Sequence, residues 1–189
     1  MYVNQGAPGD PSEAWLTALG HSTIDTYSAS VVGYTPGSAA TDVLTIAGAA
    51  GKVVRVTRVG VSGFSTSGAV IAVCLIKRSA ADTSGTPNAM TAVPHNKTSP
   101  AAVATVNNWT STPPSVGTAV GTIRASRLGI SAAAATTPGD RIEWTFENRP
   151  GKAIELFGTA DVLAINLNGA TLAGGELLDM DIEWTEATA

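Results

Sequence analysis

The stretch Glu176–Glu186, ELLDMDIEWTE, places Leu178, Met180, Ile182 and Trp184 at every second position, with Asp179, Asp181, Glu183 and Thr185 between them. A repeat of two fits a strand, whose successive side chains point to opposite faces, and would scatter the same residues around a helix. RIEWTF at 141–146 repeats the pattern, with Ile142, Trp144 and Phe146 on one side and Arg141, Glu143 and Thr145 on the other. Each segment is therefore expected to form a half-buried strand with a tryptophan in the core and acids on the wet face. The shared IEWT is too short to mark a domain duplication.

Strand signals continue backward to Asp42. DVLTIAG, the turn AAGK and VVRVTRVGVSG follow in order, and the apolar parity of the last changes between Val56 and Val59, which implies a bulge near Thr57–Arg58. GAVIAVCLIKR is apolar on both parities, as in a central strand, and its Cys74 reads as a small buried hydrophobe. TAVGTIRASRLGI is read as a strand on its Gly121 and β-branched residues, while AIELFG and DVLAINLNG supply Ile154, Leu156, Leu163, Ile165 and Leu167 to the core. About eight to ten strands closely spaced by turn signals favour an all-β, antiparallel sandwich of jelly-roll type over a parallel α/β fold.

Residues 1–40 differ from the rest. They are rich in Gly, Pro and Ser, and Asp10 followed by Pro11 permits a short helix over 11–19. Yet Tyr2, Trp15, Tyr27 and Tyr34 supply four of the ten aromatics of the chain, more than a disordered tail would carry. The expected organisation is a largely extended interaction arm over 1–40, bearing those four aromatics, followed by one sandwich domain over 41–189.

Charge is sparse and uneven. Charged residues make up 14% of the chain, well under the roughly 25% usual for soluble domains, so much of the surface is expected to be covered by neighbouring subunits. Residues 52–127 hold eight bases and one acid, whereas 128–189 hold three bases and ten acids. These blocks are expected to pair within one fold as neighbouring strands of opposite sign; docking of subunits through opposite poles is the other reading. A net charge of −4 argues against nucleic acid as the main partner. Arg55, Arg58, Lys77, Arg78, Arg124 and Arg127 lack the interleaved aromatics that would stack on bases. The longest apolar run, eight residues, is too short to cross a membrane, and the N-terminus has no signal-peptide pattern.

Candidate chemistry is thin. Asp179, Asp181 and Glu183 share one face of a strand, roughly 6–7 Å apart, and form the sole weak candidate for a metal. A straight row cannot wrap a Ca²⁺ ion without ligands from loops, so a solvated or partner-paired face is the expectation. GFSTSG misses the nucleophile-elbow pattern by one position, and His21 and His95 are the only imidazoles. GAAGKV lacks the spacing of a phosphate loop, and one cysteine with two separated histidines makes no zinc set. Neither a catalytic residue nor a cofactor is assigned, and the chain is read as no enzyme.

TDVLTIAGAAGKVVRVTRVGVSG, VCLIKRSAADTSGTP, TAVPHNKTSPAAVATV and DVLAINLNGATL with LDMDIEWTE together resemble a group of small virion-associated structural proteins of tailed bacteriophages, over roughly residues 40–186. The resemblance implies a β-sandwich virion component, made in the bacterial cytoplasm and carried in the phage particle, without catalytic residues. In plan the chain is similar to capsid decoration (cement) proteins. The expected partners are then the major capsid protein or neighbouring virion subunits, with a homotrimer favoured. A tail or baseplate subunit is the alternative, and a glycan-binding adsorption module the next.

Overall fold

The structure, a computed structural model, describes residues 24–37, 40–110, 114–132, 139–147, 152–170, 172 and 175–189. Every regular element among them is a strand: β1 (Asp25–Tyr34), β2 (Ala40–Ala47), β3 (Lys52–Ser65), β4 (Ala69–Arg78), β5 (Thr86–Ala89), β6 (Val93–Pro94), β7 (Thr105–Thr110), β8 (Ala119–Ala132), β9 (Ile142–Thr145), β10 (Ile154–Phe157), β11 (Val162–Ala170) and β12 (Leu177–Thr188). They hydrogen-bond into one mixed sheet in the order β5-β7-β2-β11-β4-β8-β3-β12-β1-β6, with β9 and β10 also on β3.

This sheet curls into a half-barrel. Its two end strands, β5 and β6, are separated in sequence by residues 90–92 alone, and four extended steps reach no more than about 14 Å. The edges must therefore come round to face each other. The strands next to these edges are bridged: the Tyr34 hydroxyl on β1 donates to the backbone carbonyl of Trp109 on β7, and burial pushes that phenol up to about 12. Residues from both halves of the strand order, among them Ile46, Leu75, Leu163, Val59, Leu178 and Trp184, then bury into one core.

The register explains several sequence features. β12 pairs with β3 from Leu177↔Phe64 to Thr188↔Lys52, and the register slips by one residue between Glu183↔Arg58 and Trp184↔Val56. Thr57 is the extra residue, so the bulge lies where the parity change puts it. Beyond it Trp184 is fully buried, stacks on Tyr27 with ring centroids 5.8 Å apart, and donates from Nε1 to Glu186 Oε1 at 3.0 Å. The buried Glu186 carboxylate also accepts the backbone N–H groups of Val103 (3.0 Å) and Ala104 (2.9 Å). It thereby ties the link between β6 and β7 over the core without leaving an unmet charge.

Four expectations need adjusting. The strands number twelve among the described residues, and the sheet is mixed, because β3 and β8 pair in parallel at Phe64↔Ser131 and Ser65↔Ala132. β4 reverses from β3 through the short link Thr66–Gly68, and β8 runs antiparallel to β4, so β8 emerges parallel to β3. Residues 25–34, assigned above to the arm, form β1, which pairs with β12 and buries Tyr27 and Tyr34. Tyr2, Trp15 and the helix expected over 11–19 lie outside the described residues. Cys74 is half-buried on β4 rather than fully enclosed.

Candidate functional site

β12 carries Asp179, Asp181 and Glu183 on one face, as its alternation requires, and β3 and the residue leading into β9 bring Arg58 and Arg141 over them. Arg141 Nη2 donates to Asp181 Oδ1 at 2.7 Å, while Arg58 Nη2 lies 3.1 Å from Asp181 Oδ2, an ion pair whose angle makes no hydrogen bond. Thr57 Oγ1 donates to Glu183 Oε1 at 3.0 Å, and the Gly33 N–H donates to Asp179 Oδ1 at 2.8 Å. Gly60 makes room for the pair, since a Cβ there would stand 2.5 Å from both Arg141 Nη2 and Asp181 Oδ1. The row is thus a lid of charge over β3, its oxygens directed at arginines, a hydroxyl and an N–H group. Among the described residues no group of three or more His, Cys, Asp or Glu is placed to hold a metal ion.

The two charge blocks also meet elsewhere inside the fold. Arg55 Nε pairs with Glu155 Oε1 at 2.8 Å across β3 and β10, and Lys77 Nζ with Asp161 Oδ1 at 2.6 Å across β4 and the start of β11. A deeper cluster joins Arg78 to Asp42 through two hydrogen bonds of 2.6 and 2.7 Å, with the Asp42 side chain wholly enclosed. Asn166 also donates to Asp42, and Arg78 Nη1 donates to the Gly117 carbonyl at 2.7 Å. Planar bidentate pairing suits a buried arginine, whose fork matches the carboxylate. This pair is not readable from the sequence, because Arg78 and Asp42 stand 36 residues apart and meet through the shared neighbour β11.

Lys52 and Lys97 aside, three cations form no ion pair among the described residues: Arg124, Arg127 and Lys152. They gather around β8. Along Ala119–Arg127 this strand is exposed on both faces except at Ile123, with Val120 67% exposed. One backbone edge pairs with β4. Among the described residues the other is met only near its C-terminal end, by β3 at Ser131–Ala132 and by the Asp140 N–H at Gly129. An open cleft of about 500 Å³ separates this edge from β9 and β10. Lys77, Arg124 and Lys152 supply its charge, and Ile123 and Phe146 its apolar floor. Arg124 sits 5.7 Å above the Phe146 ring.

His95 is exposed, and His21 lies outside the described residues. GFSTSG is the end of β3 and its link to β4. Among the described residues no helix is long and apolar enough to cross a membrane. No protein-family model, curated protein or solved structure matches the chain.

Proposed function

We propose that the chain is a non-enzymatic structural protein of a bacteriophage particle, a capsid decoration protein that binds the major capsid protein and neighbouring copies through the free edge of β8. The observation that carries this reading is the strand itself. A strand exposed on both faces adds little to its own core, and its N–H and C=O groups that have no partner among the described residues form a template for another strand. Low surface charge and exposed Val70 and Val120 suit a surface that a neighbour covers. Arg124, Arg127 and Lys152, which form no ion pair among the described residues, favour an acidic partner.

A jelly-roll-like sandwich belongs to the same proposal, supported by the single core shared between the two halves of the curled sheet. A tail or baseplate subunit docking through opposed charge poles is less favoured, because Arg55, Arg58 and Lys77 of the basic block pair within the fold with Glu155, Asp181 and Asp161 of the acidic one.

Replacing Val120 and Ala125 by lysine tests the edge, since charge on an edge strand blunts pairing. Both sites are exposed, so the folded chain is expected to lose under about 0.5 kcal/mol. Sedimentation with heads of the encoding phage should show binding weakened at least about tenfold, equivalent to about 1.4 kcal/mol. Binding equal to that of the unchanged protein would remove β8 as the docking edge.

A further inference from the structure

We propose that Asp82 is a proton-operated latch, which when protonated fastens the link between β4 and β5, together with the leading end of β8, to the sheet, and which loosens both when it ionises. This goes beyond the docking reading and does not rest on it. Asp82 lies in the segment 79–85 that leads from β4 to β5. Its side chain is 1% exposed. The Gly117 N–H donates to Oδ1 at 2.9 Å, and Oδ2 has no hydrogen-bond partner among the described residues.

The groups that face it set the chemistry. From β2 comes the Asp42 carboxylate, from β4 the Arg78 guanidinium, and from the segment before β8 the Gly117 backbone; Asn166 of β11 faces Asp42. Two carboxylates thus share one cation. Arg78 spends its fork on Asp42 and the Gly117 carbonyl, and its Nε stands 3.8 Å from Asp82 Oδ1. An ionised Asp82 is left with a bare buried oxygen beside a second negative charge, which is costly. A proton on Oδ2 removes that charge and supplies a donor for Asp42. The contact is close: a Cβ on Gly117 would lie 1.9 Å from the Ala80 carbonyl oxygen, so only glycine lets the two segments meet.

Burial, reinforced by the Asp42 charge, pushes the Asp82 carboxyl from 3.8 up to about 6. The closed state therefore holds a proton that the open state has already released, and the gain is full below pH 3.8 and lost as pH rises through about 6. Hydrogen exchange of the amides of Ser79, Thr83, Ser115 and Gly117, all hydrogen-bonded across this junction, reads the latch. After correction for intrinsic rates, their protection should be about tenfold higher at pH 5 than at pH 7.5, since pH 5 lies about one unit below the closed-state value. Amides of Met180 and Ile182 in β12 serve as controls for the whole fold. Asp82→Asn, a neutral isostere with a donor for Asp42, should hold the protected state at both pH values. Equal protection of the unchanged protein at the two pH values would overturn the proposal, whether or not the variant folds. So would a full tenfold dependence surviving in Asp82→Asn.

Discussion

Trp184→Ala is expected to lower stability by about 3–5 kcal/mol, the range for truncating a large buried aromatic whose site cannot collapse. The site is enclosed on every side. The ring is wholly buried, stacks on Tyr27, and stands on the residue that follows the Thr57 bulge, where the backbone is already committed to a changed register. Its loss also removes one of the N–H donors that hold the Glu186 carboxylate, leaving Val103 and Ala104 to carry it. Unfolding in urea, followed by the midpoint at constant slope, measures the change. A loss under about 1 kcal/mol would mean that the two ends of the curled sheet do not depend on this packing. Trp184→Phe should recover much of the stacking but not the hydrogen bond, and should fall between the two.

A comparable effect is expected from Arg78→Ala, by a different route. Removing one partner of a buried ion pair costs about 3–5 kcal/mol, because the other charge stays buried and unmet. Among the described residues Asp42 would keep the Asn166 donor alone, and Asp82 would lose the Arg78 cation beside it. Arg78→Lys should recover only part, since an ammonium cannot make the two parallel bonds to Asp42 and the third to Gly117. Replacing Asp42 by leucine and Arg78 by methionine together should cost far less than the sum of the two single losses, as the pair is then removed whole. Additive losses in that cycle would show that the two side chains stabilise the fold independently. The Arg78→Ala loss should also be smaller at pH 5 than at pH 7.5, because the proton on Asp82 relieves the repulsion that the missing guanidinium no longer offsets.

Local periodicity made much of this fold legible. Leu178, Met180, Ile182 and Trp184 face the core, and Asp179, Asp181 and Glu183 face away, because a strand leaves no other choice once one face is buried. The bulge at Thr57 was readable for the same reason: a change of parity within one apolar run must be absorbed by an extra residue. Pairing of the basic block with the acidic one also followed from sequence, since β3 lies between β12 on one side and β9 and β10 on the other.

Partners set by long-range topology were not legible. Nothing in KRSAAD announces that Arg78 will meet Asp42 through β11, or that Asp82 will be enclosed by Gly117. Tyr27 and Tyr34 illustrate the limit in reverse. They sit in a segment of weak periodicity that reads as arm, yet β12 offers a full edge and draws them into the core. The open edge of β8 was equally hidden: its sequence reads as an ordinary strand, and only the strand order shows that, among the described residues, one side has no neighbour along most of its length.

The mass of the full chain in solution, from light scattering behind a sizing column, tests the docking account most directly. Association through the β8 edge into a preformed three-fold partner predicts three copies, about 57 kDa against 19.0 kDa for one chain, falling to the single-chain value when Val120 and Ala125 become lysine. A mass of 19.0 kDa at every concentration, or a trimer that the two lysines leave intact, would contradict it.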